Sequence, residues 1–158
     1  MPTENTMKFG YENHNADTIA NTDKKRICAY FTVLDTHKIK PVDIRFRTNE
    51  LLEEVAKHDD WILESVIWDA NHKIDTNREG LNTILDKAKN DEFDILLMYH
   101  CMQVSRSGSK TFDWTLQLHQ LGKTVYGIVD EIHSFDELAE ALHLTVARQK
   151  QYEALKKA

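Results

Sequence analysis

The residues of this chain that could do chemistry cluster at the ends of its apolar runs. Asp35 follows the run at 26–34 (RICAYFTVL), Asp69 follows 61–68 (WILESVIW), and Asp130 follows 124–129 (TVYGIV). Three carboxylates so placed could hold Mg²⁺ beside a phospho-acceptor, since that ion takes one or two protein carboxylates and completes its octahedron with water and phosphate. Such a pocket wants an acidic pair ending the first strand and an acceptor aspartate ending the third. The third run, 94–99 (DILLMY), closes instead on Tyr99 and His100, which speaks against it. The eight histidines include no H-E-x-x-H pair and no His/Cys spacing of a zinc site. No glycine follows the first run, so the segment 34–37 cannot form a phosphate-cradling G-x-G-x-x-G turn or P-loop. The sequence therefore predicts neither a metal nor a cofactor. Cys28 and Cys101 stand far apart, each in or beside an apolar run, and read as buried free thiols in a reducing cytoplasm.

The elements that must position these residues follow from hydrophobic period. The four apolar runs have strand length, and the first is too continuous for a half-exposed strand, as in buried parallel sheets. Between them lie helical stripes: Leu51, Leu52, Val55 and Ala56; then Leu81, Ile84, Leu85 and Ala88; then Trp114, Leu118 and Leu121, with Gly122 placed to end that helix. Thr76-Asn77-Arg78-Glu79 and Ser134-Phe135-Asp136-Glu137 have the form of capping boxes opening the second helix and a last one. Residues 35–48, with Pro41, read as a long polar connection. The alternation predicts an α/β fold: a single domain over 24–158, with a mainly parallel sheet of four or five strands, helices on both faces, and a long C-terminal helix from about residue 134. Residues 1–23, polar and without period, read as a flexible extension, in which Phe9 and Tyr11 are available to dock.

At 158 residues, 41% hydrophobic and 29% charged, the chain has the composition of one globular domain. No apolar run approaches the roughly 20 residues that span a bilayer, and no secretory leader pattern opens the chain. The formal net charge of −6 repels phosphate as a whole. Only the scattered basic residues at 24–26, 38–47 and 156–157 could touch nucleic acid, so weak, nonspecific DNA binding is the most to be expected.

Over residues 25–154 the sequence resembles the catalytic domain of the serine recombinases, the resolvases and invertases. Their first strand reads Y-x-R-V-S, with the serine attacking a DNA phosphate; here it reads Tyr30-Phe31-Thr32-Val33-Leu34. Their acidic strand end followed by D-R-x-G-L is matched by Asp69 and Asn77-Arg78-Glu79-Gly80-Leu81. Their D-x-hydrophobic run followed by D/S-R-L-x-R is matched by Asp94 to Met98 and Met102-Gln103-Val104-Ser105-Arg106. Leu121-Gly122-Lys123, Val129-Asp130-Glu131 and Gln151-Tyr152-Glu153-Ala154 resemble the family's later blocks. Arg78, Gly80 and Arg106 carry most of the likeness.

The departures fall on the chemistry. Leu34 stands at the nucleophile position, Thr32 at the first arginine and Gln103 at an arginine of the third block. Phosphoryl transfer to the protein needs an attacking hydroxyl and a cationic clamp, and leucine, threonine and glutamine supply neither clamp nor activated nucleophile. The resemblance thus implies a recombinase-like protein without catalytic residues, acting by protein–protein contacts as a homodimer or on a recombinase-family partner such as one from a mobile element. Arg78 and Arg106 are candidate phosphate or anion contacts, weighed against Arg78 being solvated or paired with Glu79 or Asp75 and Arg106 capping a loop. Tyr152 and Leu155, on the last helix, are candidate dimer or partner contacts. Two alternatives stay open: an active DNA-cleaving domain using another hydroxyl, such as Thr36 or Ser105, and a small-ligand-binding α/β module.

Overall fold

A computed structural model describes residues 9–34, 40–71, 78–105 and 107–157. In chain order the elements are β1 (Phe9–Asn13), α1 (Ala16–Ile19), β2 (Lys25–Leu34), α2 (Pro41–Ala56), β3 (Trp61–Asn71), α3 (Glu79–Lys89), β4 (Ile95–Met98), a 3₁₀ turn (Cys101–Val104), α4 (Gly108–Gln120), β5 (Thr124–Gly127) and α5 (Phe135–Lys157). They form a single α/β domain around a five-stranded sheet of order β1-β3-β2-β4-β5. β2, β3, β4 and β5 are mutually parallel, and β1 runs antiparallel to β3.

The continuous apolar run of β2 is explained by its place at the centre of the sheet, with both faces covered. Ile27, Ala29 and Phe31 pack with Leu51 and Val55 of α2 on one face. Cys28 and Tyr30 pack with Leu81 and Ile84 of α3, Leu118 of α4, and Leu138 and Leu142 of α5 on the other. The register of β2 on β3 slips once, between Ile27/Leu63 and Cys28/Ser65, leaving Glu64 as the extra residue of a bulge. Glu64 is buried there and meets Lys87 Nζ of α3 at 2.7 Å.

Several boundaries differ from expectation. Phe9–Asn13, within the stretch read as a flexible extension, pairs with Asp69–Ser65 as an edge strand. Its outer residues are polar because it lies at the sheet edge, so it carries no strong period, yet Phe9 packs on the core and the Tyr11 hydroxyl accepts from Lys87. α2 begins at Pro41 rather than near Asn49, with the proline in the first turn where its missing N–H costs nothing. Its opening turns show no apolar stripe because Val42 and Phe46 face outward. α3 begins at Glu79 with Arg78 as N-cap and no side-chain cap hydrogen bond; the box expected at 76–79 opens on Thr76, which lies outside the described residues. Leu121 is exposed at the end of α4, where Gly122 adopts φ +80° and ends the helix as expected. The second box holds: Ser134 Oγ accepts from the Glu137 amide at 3.1 Å, and the Glu137 carboxylate accepts from the His133 amide at 2.6 Å. α5 then runs to Lys157.

Candidate functional site

The chain leaves β2 through α2 to reach β3 on one side, while β4 lies on the other side of β2. The connections therefore diverge at the carboxyl ends of β2 and β4, the switch point at which open α/β sheets bind their ligands. A cleft of about 580 Å³ lies there. The end of β2 supplies Thr32 and Val33, and the end of β4 supplies Tyr99 and His100. Val129 follows β5, and α2 contributes Asp43, Phe46 and Arg47. Burial and the neighbouring Glu50 push the Tyr99 phenol up, so it is a neutral donor, and it donates to the Arg47 carbonyl at 3.2 Å.

Next to it, towards α3, lies a buried polar cluster. The Tyr30 hydroxyl donates to Asp69 Oδ2 at 2.6 Å and accepts from Arg78 Nη2 at 2.7 Å. The Gly80 amide donates to Asp69 Oδ1 at 2.7 Å. Arg78 Nη1 donates to the Val104 carbonyl, and Nε lies 3.8 Å from Asp69. Burial pushes the Asp69 carboxyl up from its ordinary range, against the Tyr30 hydroxyl, the Gly80 and Leu81 amides and the Arg78 charge, which all favour the carboxylate. Burial and the Asp69 charge push the Tyr30 phenol up. Arg78, 9% exposed, is buried rather than solvated; its guanidinium ties Tyr30 of β2 and Asp69 of β3 to the 3₁₀ turn ahead of α4.

The structure places the other sequence-derived candidates separately. Leu34 is the last residue of β2, opposite Asn71 of β3, and Thr32 lies opposite Asp69. Gln103 belongs to the 3₁₀ turn. Arg106, Thr36 and Asp35 lie outside the described residues. The Ser105 hydroxyl accepts from the Ser107 amide at 3.0 Å, a local turn contact ahead of α4. Asp130 accepts from the Cys101 amide at 2.8 Å. Asp69 and Asp130 thus serve separate backbone contacts, and among the described residues no group of three or more His, Cys, Asp or Glu could hold a metal ion. Cys28 and Cys101 are free and buried, and burial pushes the Cys28 thiol up to about 12. Tyr152 and Leu155 are exposed near the end of α5. Sequence reasoning missed the first turns of α2, with Asp43, Phe46 and Arg47, as a cleft wall. The signal was there in Pro41, which opens a helix as readily as it interrupts one.

No protein-family model matches the chain, and no curated protein matches it. Solved structures do. The N-terminal catalytic domain of TP901-1 integrase superposes with a TM-score of 0.60 at 16% identity, over 83% of this chain and 98% of that one. The C-terminal catalytic domain of ISC1926 TnpA, an IS607-like serine recombinase, gives 0.55 at 18% identity, over 74% and 77%. A resolvase family site-specific recombinase from Streptococcus pneumoniae gives 0.53 at 14%, over 85% and 98%. The fold is therefore that of a serine-recombinase catalytic domain.

Proposed function

We propose that this chain is a recombinase-like domain that does not cleave DNA and works through protein contacts, as a homodimer or as a regulator of an intact recombinase. The observation that carries the reading is the state of the β2 end beside Arg78. The strand finishes Thr32-Val33-Leu34, with a hydrocarbon where the resemblance places the attacking serine, and the Arg78 guanidinium is turned inward to Tyr30, Asp69 and Val104. A phosphoryl transfer there would lack its nucleophile and much of its clamp. Arg78 could contact an anion only by leaving these three partners; Arg106 is the other candidate contact. The protein partner would meet the distal part of α5, where Tyr152 and Leu155 are 61% and 74% exposed. Among the described residues no helix is long and apolar enough to cross a membrane, and with two buried thiols we place the protein in the cytoplasm.

The test is incubation with supercoiled plasmid, with a search for nicks and for a covalent protein–DNA adduct. Neither is expected. An adduct abolished by Thr36→Ala or Ser105→Ala would overturn the reading. Leu34→Ser alone is expected to stay inactive, since Thr32 and Gln103 remain uncharged and each missing donor costs on the order of 10²–10³ in rate.

A further inference from the structure

Loss of strand cleavage would leave a formed cleft at the switch point with its own chemistry. Its volume, about 580 Å³, lies in the range of small-molecule sites and exceeds what a bare phosphate fills. Its walls are of three kinds. Phe46 and Val129 stand 65% and 60% exposed beside it, apolar surface that water covers poorly. Tyr99 is held in place by its bond to the Arg47 carbonyl, with the Arg47 guanidinium carbon 6.0 Å from the centre of its ring. Among the described residues Arg47 makes no ion pair, and it is exposed on the wall of a cleft that Thr32 and His100 also line. Asp43, one turn before Arg47 on α2, adds a hydrogen-bond acceptor that suits an amino group rather than an anion.

An apolar ring surface, one cation and one acceptor around a single cavity match a ligand that is aromatic at one end and anionic at the other. We propose that this cleft binds a free nucleoside monophosphate, its base against Phe46 and Tyr99 and its phosphate on Arg47. Stacking on an aromatic side chain tolerates any base, and a guanidinium takes a phosphate bidentately. With no glycine-rich loop to offer backbone amides, binding is modest, with a dissociation constant of about 0.1–1 mM. The site does not depend on whether the chain cleaves DNA.

The full chain, labelled with nitrogen-15, is titrated with the four 5′-ribonucleoside monophosphates, their nucleosides, inorganic phosphate, and an eight-nucleotide single strand. At least one monophosphate is expected to saturate, with amide shifts at Thr32, Tyr99 and His100, and to bind at least about tenfold tighter than its nucleoside or phosphate alone. Arg47→Gln should weaken the monophosphate about tenfold or more and leave the nucleoside unchanged; Phe46→Ala should weaken both and leave phosphate unchanged. Both side chains are exposed, so each variant is expected to keep the wild-type amide spectrum elsewhere. The proposal is overturned if none of the four saturates by about 5 mM, if the shifts map elsewhere, or if Arg47→Gln changes nothing. It is also overturned if the oligonucleotide binds the cleft more tightly than every monophosphate, which would assign it to a nucleic-acid strand.

Discussion

The Gly80 amide donates to Asp69 Oδ1 at 2.7 Å, and a Cβ built on Gly80 would stand 2.5 Å from Asp69 Oδ2. This contact gives the glycine beside Arg78 a physical reason: the first turn of α3 lies directly on a buried carboxylate, and only a residue without a side chain lets it come that close. Alanine in a helix is ordinarily favoured over glycine by close to 1 kcal/mol. At this position the sign should reverse. Gly80→Ala is expected to lower stability by about 1–3 kcal/mol in urea unfolding, because neither the carboxylate nor the helix can move without breaking its hydrogen bonds.

Arg78 is the only basic side chain near Asp69 in that cluster, among the described residues. Replacing it by methionine keeps the bulk and leaves a buried carboxylate without its countercharge. A loss of about 3–5 kcal/mol is expected, and Asp69→Asn in the Arg78→Met background should recover part of it. Chemical denaturation of Arg78→Met, Asp69→Asn and the double variant gives the coupling directly. A cost for Arg78→Met within about 0.5 kcal/mol would mark it as a surface residue and restore its availability to a ligand.

At the opposite end of the sheet, Arg26 bridges Asp94 and Asp91, donating to Asp94 at 3.0 and 3.1 Å and to Asp91 at 2.9 Å. Burial alone would raise the Asp94 carboxyl, but the hydrogen bonds and charge of Arg26, with Lys123 beyond, hold it below its ordinary value of 3.8. Lys123 and then Arg26 hold Asp91 down as well. A depressed carboxylate stabilises the fold above its unfolded pKa and loses that contribution as pH falls through the folded one. Wild type should therefore be more stable than Asp94→Asn at neutral pH, and the gap should close in urea melts taken down to about pH 2. Asp69, whose pKa is raised, contributes with the opposite sign, its cost growing as pH rises from 3.8, so the difference between the two proteins is the quantity to follow.

Beyond Leu142 the exposed residues of α5 include Leu144, Tyr152 and Leu155. Sedimentation equilibrium of the full chain, against a version ending at Arg148, should show association only for the former. A full-length chain that stays monomeric at high micromolar concentration would rule out self-association and leave a heterologous partner as the surviving form of the proposal.

The order of strands and helices, the parallel sheet and the cap of α5 were legible in the sequence because each rests on local chemistry. A buried parallel strand must be apolar on both faces, Ser134 caps the helix that starts immediately after it, and Gly122 adopts a positive φ that ends α4. The edge strand β1 was not legible, because its register comes from Trp68 and its neighbours on β3, more than fifty residues away. Nor was the fate of Arg78. In the sequence it is a basic residue close to a glycine, equally suited to solvent, to Glu79 or to a phosphate. Only the packing of α3 against β2 and β3 brings Tyr30 and Asp69 within its reach and turns the guanidinium inward. The cleft, likewise, exists only because α2 starts at Pro41, well before its apolar stripe opens at Leu51, carrying Phe46 and Arg47 over the ends of β2 and β4. Local sequence decides which elements form; the partners of a side chain far along the chain are decided by tertiary packing, because burial and countercharge come from residues that no short window contains.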